Sequence, residues 1–123
     1  MEKKILLVDD STFSRMMMKE IIKKNLPDWD IFQAGTGEEA MKLIDEHSFG
    51  LMLLDFNMPD INGIDLGKQI RKKQPAAKIA LVTANQQNAV KSRAEDQDFF
   101  YIPKPLSEEK LRQFASLEMK PAV

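Results

Sequence analysis

The sequence predicts a three-layer α/β domain built on an open, doubly wound, parallel sheet of five strands. Three observations predict it: five short runs of continuous apolar residues, helical hydrophobic spacing in the segments between them, and turn residues at the junctions. A strand that is apolar throughout, rather than at alternate positions, belongs to a sheet covered on both faces, and helical crossovers make that sheet parallel and right-handed. A closed eight-stranded barrel needs about twice the length of this chain.

The first run, Ile5 to Val8, ends in Asp9 and Asp10. The helix after it carries Phe13, Met17, Met18, Ile21 and Ile22 as its apolar stripe, and Pro27 lies beyond its end. Its Met16-Met17-Met18 run reads as core filling rather than a binding surface. Ile31 to Ala34 form the second strand, and Gly35-Thr36-Gly37 a turn before a helix with Ala40, Leu43 and Ile44 on its apolar side. That turn lacks the lysine and spacing of a P-loop and fails the dinucleotide fingerprint. His47, the only histidine, has no second ligand at metal spacing and reads as a solvated residue. Leu51 to Leu54 form the third strand and lead into Asp55; the third helix closes at Gln74-Pro75. Its final Arg71-Lys72-Lys73 suits the negative end of the helix dipole and reads as a solvated face rather than a DNA contact. Ile79 to Val82 lead into Thr83, and the fourth helix, Gln86 to Asp96, has little beyond Ala89, Val90 and Ala94 to pack with. Phe99 to Ile102 form the fifth strand, which runs through Pro103 to Lys104-Pro105. Residues 1–119 are expected to make the domain and 120–123 a tail or the start of a linker.

The chain of 123 residues is 43% hydrophobic, enough for one core that buries roughly two thirds of the unfolded surface. Eighteen basic and nineteen acidic residues leave a net charge of -1, so no overall field draws it to nucleic acid or an anionic membrane, and partner contacts are local. The absence of cysteine excludes disulfides and thiol catalysis and suits a reducing compartment. The apolar run before Asp9 is too short for a signal-peptide core or a membrane span, so the expected address is the cytoplasm.

In an open parallel sheet the ligand crevice lies beyond the carboxyl ends of the strands. Here those ends carry Asp9, Asp10, Asp55, Thr83 and Lys104. With the first and third strands as neighbours at about 4.8 Å, Asp10 and Asp55 approach closely, and like charges about 4 Å apart repel by about 4 kcal/mol at an effective dielectric of about 20. A hard cation such as magnesium relieves this while leaving room for phosphate oxygens, and Lys104 adds further positive charge. A carboxylate is a competent nucleophile towards phosphorus, forming an aspartyl phosphate. Asp55 is the candidate, with the Thr83 hydroxyl and Lys104 placed to stabilise the phosphoryl oxygens.

Val8-Asp9-Asp10-Ser11, Asp55-Phe56-Asn57-Met58-Pro59, Asn62-Gly63, Thr83-Ala84 and Lys104-Pro105 together resemble the receiver domain of two-component response regulators, and within it the stand-alone chemotaxis type, over essentially the whole chain. The resemblance, not the spacing, implies the flavodoxin-like strand order 2-1-3-4-5. It implies phosphorylation of Asp55 by the phosphohistidine of a histidine kinase or phosphotransfer protein. Magnesium would be bound by the Asp10 and Asp55 carboxylates and the Asn57 backbone carbonyl, with Asp9 acting mostly through water. Thr83 and Tyr101 match the family's switch pair, and Lys104-Pro105 its cis bond. Output is expected through the fourth helix, fifth strand and fifth helix of a monomer or weak dimer to a protein target, not to nucleic acid or membrane. Gln97, Asp98, Phe99 and Phe100 depart from the pattern, which has a glycine and small or acidic residues there. The fourth helix therefore needs a different cap, and Phe99 or Phe100 is a core residue or a partner anchor.

Two functions compete for the same nucleophile: a phosphorylation-controlled signalling module, and a small magnesium-dependent phosphatase with an aspartyl-phosphate intermediate. The haloacid-dehalogenase phosphatases place a second aspartate two residues after the nucleophile, where this chain has Asn57. A flavodoxin-like electron carrier would need a Thr- and Ser-rich phosphate loop that is missing. The reading is a switch rather than a turnover enzyme, with at most self-phosphorylation from small donors and self-dephosphorylation.

Overall fold

Each strand is flanked by a helix that covers it, and the order along the chain is strictly alternating. The computed structural model describes residues 2–116, so the expected boundary at 119 and the tail at 120–123 lie outside the described residues. The strands are β1 (Lys4–Val8), β2 (Asp30–Ala34), β3 (Leu51–Leu54), β4 (Lys78–Thr83) and β5 (Phe100–Pro103). The helices are α1 (Thr12–Asn25), α2 (Gly37–Glu46), α3 (Gly63–Lys73), α4 (Asn88–Asp96) and α5 (Glu108–Ser116). All pairings are parallel, in the order β2-β1-β3-β4-β5, as the resemblance implied.

Because successive side chains point to opposite faces, the apolar strands feed two cores. Leu6, Val8, Met52, Leu54, Ile79 and Leu81 pack with Ala40, Ile44, Ile64, Leu66, Ile70, Val90 and Ala94 of α2, α3 and α4. Ile5, Leu7, Leu51, Leu53, Ala80 and Val82 pack with Met18, Ile22, Leu111 and Phe114 of α1 and α5. Each Val, Leu, Ile, Met or Phe among them contributes about 1.5–3 kcal/mol when fully buried.

The helix starts follow local chemistry. Ser11, Thr36 and Asn62 accept hydrogen bonds from the backbone N–H three residues on, opening α1, α2 and α3, each cap typically contributing about 1 kcal/mol. Gly37 is the first residue of α2 rather than part of the preceding turn. The fourth helix begins at Asn88 and not Gln86, and Gln87 makes no side-chain cap bond.

Several apolar assignments are corrected. In α1 only Met18 and Ile22 are buried; Phe13, Met16 and Met17 are 69%, 56% and 50% exposed. Phe13 and Met17 line the open side of a groove against Pro105 and Leu106, so the helix turns only one of its two apolar sides to the sheet. Ala89 is exposed, leaving Val90 and Ala94 to hold α4. His47 is half-buried, its ring 4.5 Å from that of Phe32 and Nδ1 3.4 Å from Lys4 Nζ.

The end of α4 resolves the unusual Gln97-Asp98-Phe99-Phe100 segment. Asp98 takes φ 60°, the left-handed conformation that Asp tolerates better than most residues, and the Phe99 N–H returns to the Ala94 carbonyl. Phe99 thus completes the helix cap and is buried, so β5 starts one residue later than expected. Arg71 is no solvated end residue: it donates to the Gln97 carbonyl and lies over the Phe99 ring at 4.9 Å. Lys73 pairs with Asp45 at 2.6 Å. Phe100 stacks on Phe114.

Gly67 lets this corner close, since a Cβ there would lie 2.6 Å from the Phe99 ring. Gly67→Ala is expected to lower stability by about 1–3 kcal/mol through overpacking, measured by urea unfolding. Combining it with Phe99→Leu should cost less than the sum of the two single changes.

Candidate functional site

Strand register brings the acids together before any side chain is considered. Val8 pairs with Leu54, so Asp9 and Asp55, the next residue of each strand, emerge side by side, and the Asp55 N–H donates to the Val8 carbonyl at 2.9 Å. Asp9 is fully buried, Asp55 is 7% exposed and Asp10 is exposed on the rim. A carboxylate oxygen from each of Asp9, Asp10 and Asp55 lies within 4.8 Å of the others, forming an acidic pocket of hard oxygen donors.

Lys104 enters from the end of β5. Its Nζ donates to Asp9 Oδ2 at 2.6 Å and to Asp55 Oδ2 at 3.1 Å, and its peptide bond to Pro105 is cis. Burial pushes the ammonium down, but the hydrogen bond to Asp9 and the charge of Asp55 outweigh it and hold Lys104 above the usual 10.5. Asp9 is further satisfied by the Ser11 N–H at 2.9 Å and the Ser14 hydroxyl at 2.8 Å. Arg15 donates to the Asp9 carbonyl. The Asp9 carboxylate is therefore held by Ser11, Ser14 and Lys104, whereas Asp10 stands exposed at the rim of the pocket.

The remaining expected residues sit around this triad rather than in it. Asn57 has an exposed side chain, and its N–H reaches Asp55 Oδ1 only at 3.4 Å. Gly63 packs onto the Asp55 backbone, where a Cβ would lie 2.1 Å from the Asp55 carbonyl oxygen. Thr83 is buried at the end of β4; its hydroxyl is bonded to the Asn85 N–H at 3.1 Å and still carries a proton to donate. The Tyr101 hydroxyl donates to the Asn85 carbonyl at 2.7 Å, so Asn85 joins the two residues. Ser14, Arg15 and the bridging backbone of Asn85 were not anticipated from sequence. Ser14 and Arg15 follow Asp9 by five and six residues across the α1 cap, a spacing that the cap at Ser11 makes readable afterwards.

Fold and site together define a flavodoxin-like α/β domain whose crevice is an acid and lysine corner, not a nucleotide cradle. The response regulator receiver domain model matches residues 5–116. Chemotaxis protein CheY of Thermotoga maritima is 38% identical over 111 residues, covering 85% of this chain and 88% of its own. That of Bacillus subtilis is 33% identical over 116 residues, covering 90% and 92%. Among solved structures, the response regulator TrrA of Thermotoga maritima, in complex with magnesium and BeF, superposes with TM-score 0.80 at 32% identity, covering 94% of this chain and 97% of its own. A CheY-like receiver domain of Methanospirillum hungatei gives TM-score 0.85 at 26% identity, covering 97% and 94%. The chain belongs to the response regulator receiver domain family.

Lys104 binds its proton more tightly folded than unfolded, so its contribution to stability is complete below about pH 10.5 and is lost as pH rises through the higher folded value. Urea midpoints of the wild type should therefore fall above pH 10.5 more steeply than those of Lys104→Met, which cannot titrate there. Parallel curves for the two proteins would contradict the assignment.

Proposed function

We propose that this chain is a phosphorylation-controlled signalling switch in which Asp55 accepts a phosphoryl group from the phosphohistidine of a histidine kinase or phosphotransfer protein. The observation that carries this reading is Lys104 Nζ held between Asp9 and Asp55, with Asp10 completing the acidic pocket. The Asp55 carboxylate attacks phosphorus, an O–P bond forms, the P–N bond of the donor breaks, and the imidazole leaves with the electron pair. Lys104 then exchanges a carboxylate partner for a phosphoryl oxygen, and the Thr83 hydroxyl supplies a second donor.

The hard-oxygen donor set suits magnesium, which would be held by the Asp10 and Asp55 carboxylates and the Asn57 carbonyl. Asp9, already engaged by Lys104, Ser14 and Ser11, would act through water. When bound, the ion neutralises charge on the transferred group and its acceptor. The groove lined by Phe13, Met17, Ile21 and Leu106, about 390 Å³ and adjoining Lys104, offers the donor protein an apolar seat.

The mark adds about -1.5 to -2 charges and acts by favouring one of two existing conformations. Drawing the Thr83 hydroxyl inward breaks its bond to the Asn85 N–H, and the Asn85 carbonyl holds Tyr101. The change therefore reaches β5 and α4, where Lys91 lies 5.9 Å from the Tyr101 ring. α4, β5 and α5 are the proposed output face for a protein target. Among the described residues no helix is long and apolar enough to cross a membrane. Similarity to chemotaxis proteins CheY over most of the chain supports a chemotaxis pathway; a cytoplasmic address and a monomer or weak dimer complete the proposal. Asn57 in place of a second aspartate disfavours the phosphatase alternative, which requires multiple turnover on phosphomonoesters.

Beryllofluoride with magnesium should shift the NMR amide signals of Asp55, Thr83, Tyr101 and α4 in the wild type and leave Asp55→Asn unchanged; an Asp55→Asn protein that responds like the wild type sinks the reading. Thr83→Ala should still respond at Asp55, with the shifts at Tyr101 and α4 reduced.

A further inference from the structure

The turn Gly35-Thr36-Gly37 and the segment after Asp55 meet in a contact that the proposed chemistry has not used. The Asp60 carboxylate accepts the Gly37 N–H through Oδ1 and the Glu38 N–H through Oδ2, both at 3.0 Å. These are two of the otherwise unpaired donors at the start of α2, where negative charge is also favoured by the helix dipole. The bonds from Gly37, first, and Glu38 hold the Asp60 carboxyl below its ordinary value, so it stays ionised. Beside them Ile61 packs onto Gly37 so closely that a Cβ would lie 2.3 Å from Ile61 Cγ2.

The same segment carries Asn57. Its base is closed by the Gly63 N–H donating to the Phe56 carbonyl at 2.9 Å and by Asp55 on Val8. Its tip is tied down by Asp60 and Ile61 on α2. Between base and tip run only Asn57, Met58 and Pro59, too few to take up a displacement of the tip without moving the Asn57 carbonyl.

We propose that Asp60 is a positioning residue for the phosphoacceptor corner: by clamping the loop tip to the amino end of α2, it sets where the Asn57 carbonyl stands and hence how tightly the corner holds its divalent cation. The inference rests on the magnesium reading above. It gives Gly37 a reason to be glycine, since any larger residue lifts Ile61 and the loop with it. Asp60 touches neither the cation nor the phosphoryl group and acts through Asn57.

The test is a magnesium titration followed by the NMR shifts of Asp55 and Asn57, with a thermal melt of each protein. Asp60→Ala should weaken magnesium binding roughly fivefold, the lower end of typical site-to-site coupling. Asp60→Asn keeps one acceptor oxygen and should fall between it and the wild type. Gly67→Ala, which strains the fold away from this loop, should melt earlier with magnesium affinity unchanged. Asp60 variants that melt earlier yet bind magnesium as the wild type does overturn the inference and leave the magnesium reading intact. If Asp60→Ala does not fold, Asp60→Asn decides by the same criterion. A wild type that binds no magnesium overturns the reading and the inference together.

Discussion

Two carboxylates brought to the ends of adjacent parallel strands repel each other, and everything distinctive about this domain turns on how that repulsion is answered. At about 4 Å and an effective dielectric of about 20 the cost is about 4 kcal/mol, a large share of the 5–15 kcal/mol typical of a whole domain. Lys104, 22% exposed and in contact with both acids, answers it from within the protein. It does so from the far edge strand, so the corner is complete only when β5 is seated. In the proposed switch this balancing cation would change partners when the phosphoryl group arrives.

The sheet makes that balance possible because it is rigid on both sides. Alternate residues of β1, β3 and β4 enter two separate cores, so a one-residue slip of any strand would exchange its whole contribution between layers. Register is therefore firmly set, and with it the lateral position of Asp9 against Asp55. The loops carry the adjustable parts. Gly63 brings its helix onto the Asp55 carbonyl, and the segment between reaches α2 before returning.

α4 is built differently at its two ends. Its beginning lacks a side-chain cap, and near it the Asn85 backbone links Thr83 to Tyr101. Its far end is fixed by Arg71, which donates to Gln97 and covers Phe99. The helix thus has two buried side chains, no side-chain cap at its beginning and Arg71 holding its far end. The proposed switch would act at the uncapped end, where Lys91 of α4 lies 5.9 Å from the Tyr101 ring of β5.

The sequence by itself determined the alternation of strands and helices and the residues at the strand ends, because continuous apolar runs and polar terminators are properties of neighbouring positions. Ile5 to Val8 followed by two aspartates, Leu51 to Leu54 followed by one, and Lys104 after the last strand were enough to place the corner on one edge. Only the tertiary structure decided which of two apolar sides α1 turns inward, leaving Phe13, Met16 and Met17 outside; helical spacing cannot choose between two adjacent stripes. Likewise Arg71 on Phe99, His47 against Phe32 and Asp60 on Gly37 join residues 15 to 28 positions apart in the chain. Such pairings depend on how loops fold back over neighbouring elements, and no local pattern encodes that.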